Sequence, residues 1–188
     1  MDAGYAGLSI EGIAARAGVG KQTIYRWWPS KGAVLFDALL VLSEGADGIA
    51  LPNTGNIERD LRTVVRAVIV ELEDPRYGSL LRALTAETQG DTSLARELVV
   101  RLLGPQISAT VDRLRVAQQA GEIMQGVDLS IGVELLYGPV FHRWLLRTAP
   151  LGETYADAVV RMALAAMRGG LRPVGGTGGR FTRSARRT

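Results

Sequence analysis

A chain of 188 residues, 47% hydrophobic and 22% charged, is long enough to bury a core and too apolar to be disordered. It contains no cysteine, which excludes a disulfide framework and thiolate chemistry and fits a reducing compartment. The net charge of +3 is local: Arg180, Arg183, Arg186 and Arg187 supply +4, which leaves residues 1–179 at −1. No apolar run nears the roughly 18 residues of a membrane span, and the N-terminus has no signal-peptide apolar core. A cytoplasmic protein with no membrane partner is therefore expected.

Met1 to Leu8 is too short for a full helix, and only Tyr5 and Leu8 could pack on the helix after it. Ser9 is a good N-cap, and Ile10, Ile13, Ala14 and Ala17 fall on one face of a helix. Gly18 comes after the last periodic residue, where a left-handed residue ends many helices, and Val19 reads as a single apolar plug. A second short helix turns Ile24 and Trp28 inward and Lys21, Gln22, Tyr25 and Arg26 outward, until Pro29 stops it. Helix, glycine-containing turn, helix with an exposed basic face is the pattern of a helix-turn-helix whose second helix can enter a major groove. Between Arg16 and Lys31 stand four cations (Arg16, Lys21, Arg26, Lys31) and no Asp or Glu. Charge alone would also fit a solvated helical hairpin.

The ordered stretch IAARAGVGKQTIYRWWPSKGAVL resembles the DNA-binding signature of the TetR/AcrR family of bacterial transcriptional regulators. The matching residues are Ile13-Ala14, Ala17-Gly18-Val19, Ile24-Tyr25, Trp27-Trp28 and Lys31. The resemblance implies DNA contacts from Ser9, Lys21, Gln22, Thr23, Tyr25, Arg26, Trp27 and Lys31. Two departures stand out. Gly20 occupies a position where the family often has Ser or Thr to cap the recognition helix. The family also begins with a complete helix ahead of this pair, and here most of that helix is lacking. Either Met1 is internal to a longer reading frame, which is the favoured reading, or the chain is this short and its DNA-binding part folds fully only when covered.

From Lys31 a third helix is expected to about Glu44, with Val34, Leu35, Ala38, Leu39 and Leu42 apolar. Gly45 to Asn56 is rich in turn formers and reads as an interdomain loop. The remainder reads as helix throughout. Ile57, Leu61, Val64, Val65, Val68 and Leu72 repeat at helical spacing until Asp74-Pro75. Arg76 to Glu87 makes a shorter helix with Leu80, Leu81 and Leu84 inward, and Asp91 or Thr92 caps a long segment to Ala120 with a kink or change of helix at Gly104-Pro105. Asp128 starts a helix reaching about Arg147, bent at Gly138-Pro139, with Leu129, Val133, Leu136, Val140 and Trp144 as its stripe. A last helix, Thr154 to about Arg168, opens with Thr154 and Asp157 in capping-box-like spacing and carries Ala158, Val159, Met162 and Ala166 on one face. The tail from Gly169 is rich in glycine and arginine and reads as disordered. The expected fold is all-α, with a helix-turn-helix DNA-binding domain at 1–45, N-terminally incomplete, a helical effector-binding and dimerisation domain at 46–172 and a disordered basic tail at 173–188.

Little in the sequence is catalytic. One histidine, His142, and no cysteine make neither a usual zinc site nor a Cys-His dyad, and Glu71 and Glu73, two apart on a helix, are not an acid/base pair. Neither an enzyme nor a cofactor or metal is expected. Next to the Trp144 stripe, His142 reads as an interface or core residue more readily than as a ligand contact. The resemblance implies a ligand cavity among the middle helices. Polar candidates for it are Thr85, Gln106, Thr110, Tyr137 and His142, of which Gln106 and Tyr137 are preferred. It further implies that the last two helices pair in a homodimer on a palindromic operator in double-stranded DNA, with release by a small-molecule effector. The stripes Val133, Leu136, Val140 and Ala158, Met162, Ala166 are the expected interface. The competing readings are a ligand-binding helical dimer that has lost DNA binding with its first helix and, more remotely, a helical enzyme.

Overall fold

The computed structural model describes residues 9–44 and 51–169. All regular structure there is helical: α1 (Ile10–Ala17), α2 (Lys21–Trp27), α3 (Lys31–Glu44), α4 (Ile57–Glu73), α5 (Pro75–Thr88), α6 (Thr92–Glu97), a π-helical turn (Leu98–Leu103), α7 (Gly104–Gln119), α8 (Leu129–Leu146) and α9 (Glu153–Gly169). No helix among these residues is long and apolar enough to cross a membrane. Residues 1–8, 45–50 and 170–188 lie outside the described residues, and with them the expectation about Met1, much of the interdomain loop and the basic tail.

Local chemistry sets most of the boundaries. Ser9 Oγ accepts the Gly12 N–H at 3.0 Å, and Gly18 closes α1 at φ +67°, a conformation only glycine adopts without cost. Asn56, Asp74, Asp91 and Asp128 each accept backbone N–H groups of the helix they precede, and Pro75 begins α5, where its missing N–H is harmless. The change expected at Gly104-Pro105 takes the form of the π turn, whose Gly104 N–H reaches five residues back to the Val99 carbonyl. Pro139 lies inside α8, which runs on through it to Leu146. The expected cap of the last helix is corrected. Ala156 N–H already bonds the Gly152 carbonyl, so Thr154 sits inside α9. The Asp157 carboxylate is taken instead by Arg66 of α4, which holds it at 2.9 and 2.7 Å.

The main core lies between α4, α7, α8 and α9, where Leu61, Val64, Val65 and Val68 meet Leu114, Leu136, Val140, Val160 and Leu164. α4 and α5 come so close that a Cβ on Gly78 would stand 2.2 Å from the Leu72 carbonyl oxygen, which also accepts the Trp144 indole N–H at 3.0 Å. Inside this core Asp60 and Arg113 form a fully enclosed ion pair at 2.7 Å. Burial pushes the Asp60 carboxyl up, yet hydrogen bonds from Thr54 and Arg113 outweigh it and hold the group below its ordinary value. A buried pair of this kind is weak evidence of net stability, but removing one partner strands the other charge.

α3 packs on α5 through Leu35, Phe36 and Leu39, and so belongs to the main core. Phe36, not part of the expected stripe, is buried, whereas Ala38 and Leu42 of that stripe face outward. The helix is apolar on nearly every side, so periodicity could not choose its face. A smaller cluster of Ile10, Ala14 and Ile24, flanked by Ile13, Trp28 and Val34, joins α1 and α2 to the start of α3. Val19 is 40% exposed and does not plug it.

Candidate nucleic-acid interface

α2 is held by its neighbours and offers its outer side to solvent. Ile24 anchors it inward, Lys21 donates to Glu11 of α1, and the Trp28 indole N–H donates to Asp37 Oδ2 at 2.7 Å, tying the end of α2 to α3. Gln22, Thr23, Tyr25, Arg26 and Trp27 are exposed, Trp27 at 70%. Lys21 extends over the Tyr25 ring, its ammonium 5.6 Å from the ring centre. Gly20 gives α2 no side-chain cap, and the Thr23 N–H bonds the Gly20 carbonyl at 2.9 Å. Lys31 is half-buried at the first turn of α3 beside Ser30, whose Oγ accepts the Ala33 N–H at 3.2 Å. Ser9 is exposed, with its hydroxyl engaged as the α1 cap. The structure thus brings Lys21, Gln22, Tyr25 and Arg26 together on one short helix, with Ser9 and Lys31 at the ends of the elements around it.

A second feature lies in the other half of the molecule. A cavity of about 250 Å³ opens between α3, α4, α5, the π turn, α7 and α8. Its wall is mostly apolar, with Val68, Leu72, Leu81, Leu102, Leu103 and Phe141, and its polar groups come from Ser43, Glu71 and Tyr77, with Gln106 added by α7. Burial pushes the Glu71 carboxyl up, and it raises the Tyr77 hydroxyl to about 12, with the Glu71 charge adding to the effect and the Ser43 hydroxyl opposing it.

Residues 1–38 match the bacterial regulatory proteins of the tetR family, and residues 51–163 match the Tetracyclin repressor-like C-terminal domain. The HTH-type transcriptional regulator YdeS of Bacillus subtilis is 31% identical over 87% of this chain and 81% of its own length. An HTH-type transcriptional regulator of Mycobacterium tuberculosis is 28% identical over 84% of this chain and 76% of its own. A crystal structure of a TetR family transcription regulator superposes with a TM-score of 0.66 at 31% identity, covering 85% of this chain and 87% of that one. The chain belongs to the TetR family. It is an all-α, DNA-binding helix-turn-helix transcriptional regulator.

Within this TetR-family chain, the five ligand candidates expected from sequence separate. Gln106 lines the cavity. Thr110 and Tyr137 are buried side by side and satisfy each other at 3.0 Å, with Thr110 one helical turn beyond Gln106 but not in the cavity wall. Thr85 donates its hydroxyl to the Leu81 carbonyl of its own helix at 2.8 Å. His142 is exposed on α8, so the core half of its expected role is corrected. Sequence reasoning missed Glu71, Tyr77 and Ser43. The available signal is the carboxylate of Glu71 near the end of the strongly periodic α4, and the sequence offers it only beside Glu73 and Asp74.

The outer faces of α8 and α9 also differ from expectation. Val133, Leu136 and Val140 are buried within the chain's own core. The exposed stripe of α8 is the opposite one, Ile131, Leu135, Gly138, His142 and Leu145, and beside it α9 exposes Met162 (75%) and Ala166.

Proposed function

We propose that this TetR-family chain is a cytoplasmic transcriptional repressor that binds a palindromic operator in double-stranded DNA as a homodimer and leaves it when a small molecule fills the cavity. The observation that carries the reading is the α2 surface. Six polar or aromatic side chains stand outward on one anchored helix, with Lys21, Arg26 and Lys31 supplying charge for phosphates and Gln22 a donor and acceptor for a base edge. One such helix makes few contacts, and two-fold pairing is the usual way to reach a unique site. The exposed Ile131, Leu135 and Leu145 of α8 and Met162 of α9 support the pairing, because large apolar side chains gathered on the outer faces of two packed helices suit a partner surface. The cavity supports the release step through α3, the helix that comes directly after the recognition helix. Ser43 of α3 lines the cavity, and Phe36 of the same helix is packed in the main core. The reading assigns the chain no catalytic step and no cofactor.

The experiment is a gel shift of the full chain against DNA upstream of its own gene, run beside a reporter fused to the same DNA. Retardation of that fragment over random competitor, with reporter output rising when the gene is deleted, is the expected result. Retardation with reporter output falling on deletion would make the protein an activator. No retardation at all would return the chain to a ligand-binding dimer without DNA binding.

A further inference from the structure

We propose that the cavity selects small apolar molecules bearing one protonated amine, with Glu71 as the group that recognises the charge. The proposal rests on the effector reading and narrows it to a class of ligand. The cavity is walled by aliphatic and aromatic side chains, and at about 250 Å³ it sits just under the roughly 300–1,000 Å³ of drug-sized pockets. Its ligand is therefore compact. Within it Glu71 is the sole Asp, Glu, Lys, Arg or His on the wall, and among the described residues no cation and no hydrogen-bond donor meets its carboxylate. Three other carboxylates on or against α4 have partners: Asp60 is paired with Arg113, Asp157 with Arg66, and Asp74 caps α5. Glu71 is half-buried, so its carboxylate is partly withdrawn from water at the cavity wall, and an ammonium supplied from outside would give it the partner that the chain does not. Tyr77 and Ser43 beside it add hydroxyl oxygens that can accept the remaining ammonium hydrogens. Leu72, Leu81, Leu103 and Phe141 would cover the body of the ligand.

The test is calorimetric titration of the full chain at near-neutral pH with three molecules of one shape: naphthylmethylamine, naphthylmethanol and naphthoate. The amine is expected to bind about tenfold or more tightly than the alcohol, and the carboxylate most weakly. In Glu71→Gln the amine should fall to the affinity of the alcohol while the alcohol is unchanged, and Ala109→Phe, which fills the cavity, should abolish binding of both. Equal affinity of amine and alcohol for the native chain, which requires no variant, overturns the proposal. So does an amine preference that survives in Glu71→Gln. If none of the three binds, or if Ala109→Phe leaves binding intact, the cavity itself is not the ligand site, and the effector reading fails with it.

Discussion

Gln22 and Lys31 belong to the same short stretch, but their chemistry gives them different work. The Gln22 amide near the start of α2 can pair with both edge groups of an adenine, whereas Lys31 is a point charge at the first turn of α3. Gln22→Ala should relax sequence preference at a loss of about 1–3 kcal/mol on the preferred site. Lys31→Ala should weaken all DNA alike and lower the salt slope by about one unit, measured by fluorescence anisotropy over a salt series. A change of preferred sequence in Lys31→Ala would reverse the assignment. Glu71 gives a second residue-scale prediction. Burial raises its pKa in the folded chain, so the folded state binds that proton more tightly than the unfolded state. Its ionised form then opposes folding as pH rises through and above the ordinary glutamate range. Glu71→Gln should melt higher than the native chain at neutral pH, and the difference should close as pH falls below that range. A variant that melts lower at neutral pH would show that the carboxylate has a partner.

Among the elements, those set by neighbours in sequence were legible and those set by distant contacts were not. The α1 cap at Ser9, the turn at Gly18, the stop at Asp74-Pro75 and the stripe of α4 arise from residues within one turn of each other. Asp157 could be read as a cap because its partner, Arg66, is 91 positions away. α8 is apolar around its circumference, so period alone picked out one stripe, Val133, Leu136 and Val140, without saying whether it faces the core or a partner. The helix-turn-helix was legible because its motif is local and ordered. Most of the cavity was not, since its wall is drawn from five helices and the π turn. One element remains under-built: α2 has no cap. Gly20 has φ −71° and ψ 146°, which any residue adopts, and a Cβ there would be 3.9 Å from Thr23 Oγ1. Gly20→Ser should therefore raise helix stability by a few tenths of a kcal/mol, seen as slower amide exchange in α2. Faster exchange would mean that the serine hydroxyl does not cap α2.

At the scale of the whole molecule, the two halves share α3, and the proposed operator binding requires two copies acting together. Leu135 on α8 and Met162 on α9 are apolar, exposed and distant from the main core residues of the same helices. Leu135→Glu and Met162→Glu should each leave the fold intact by circular dichroism and shift light scattering from dimer to monomer. Retained dimers in both would move the interface elsewhere. The most direct measurement of paired operator recognition is selection of bound sequences from a random duplex library by the full chain. The expected result is an enriched inverted repeat, with half-sites about one helical turn or a multiple of it apart and two or more chains per duplex. Enrichment of no sequence, or of a single unrepeated site bound by one chain, would contradict it.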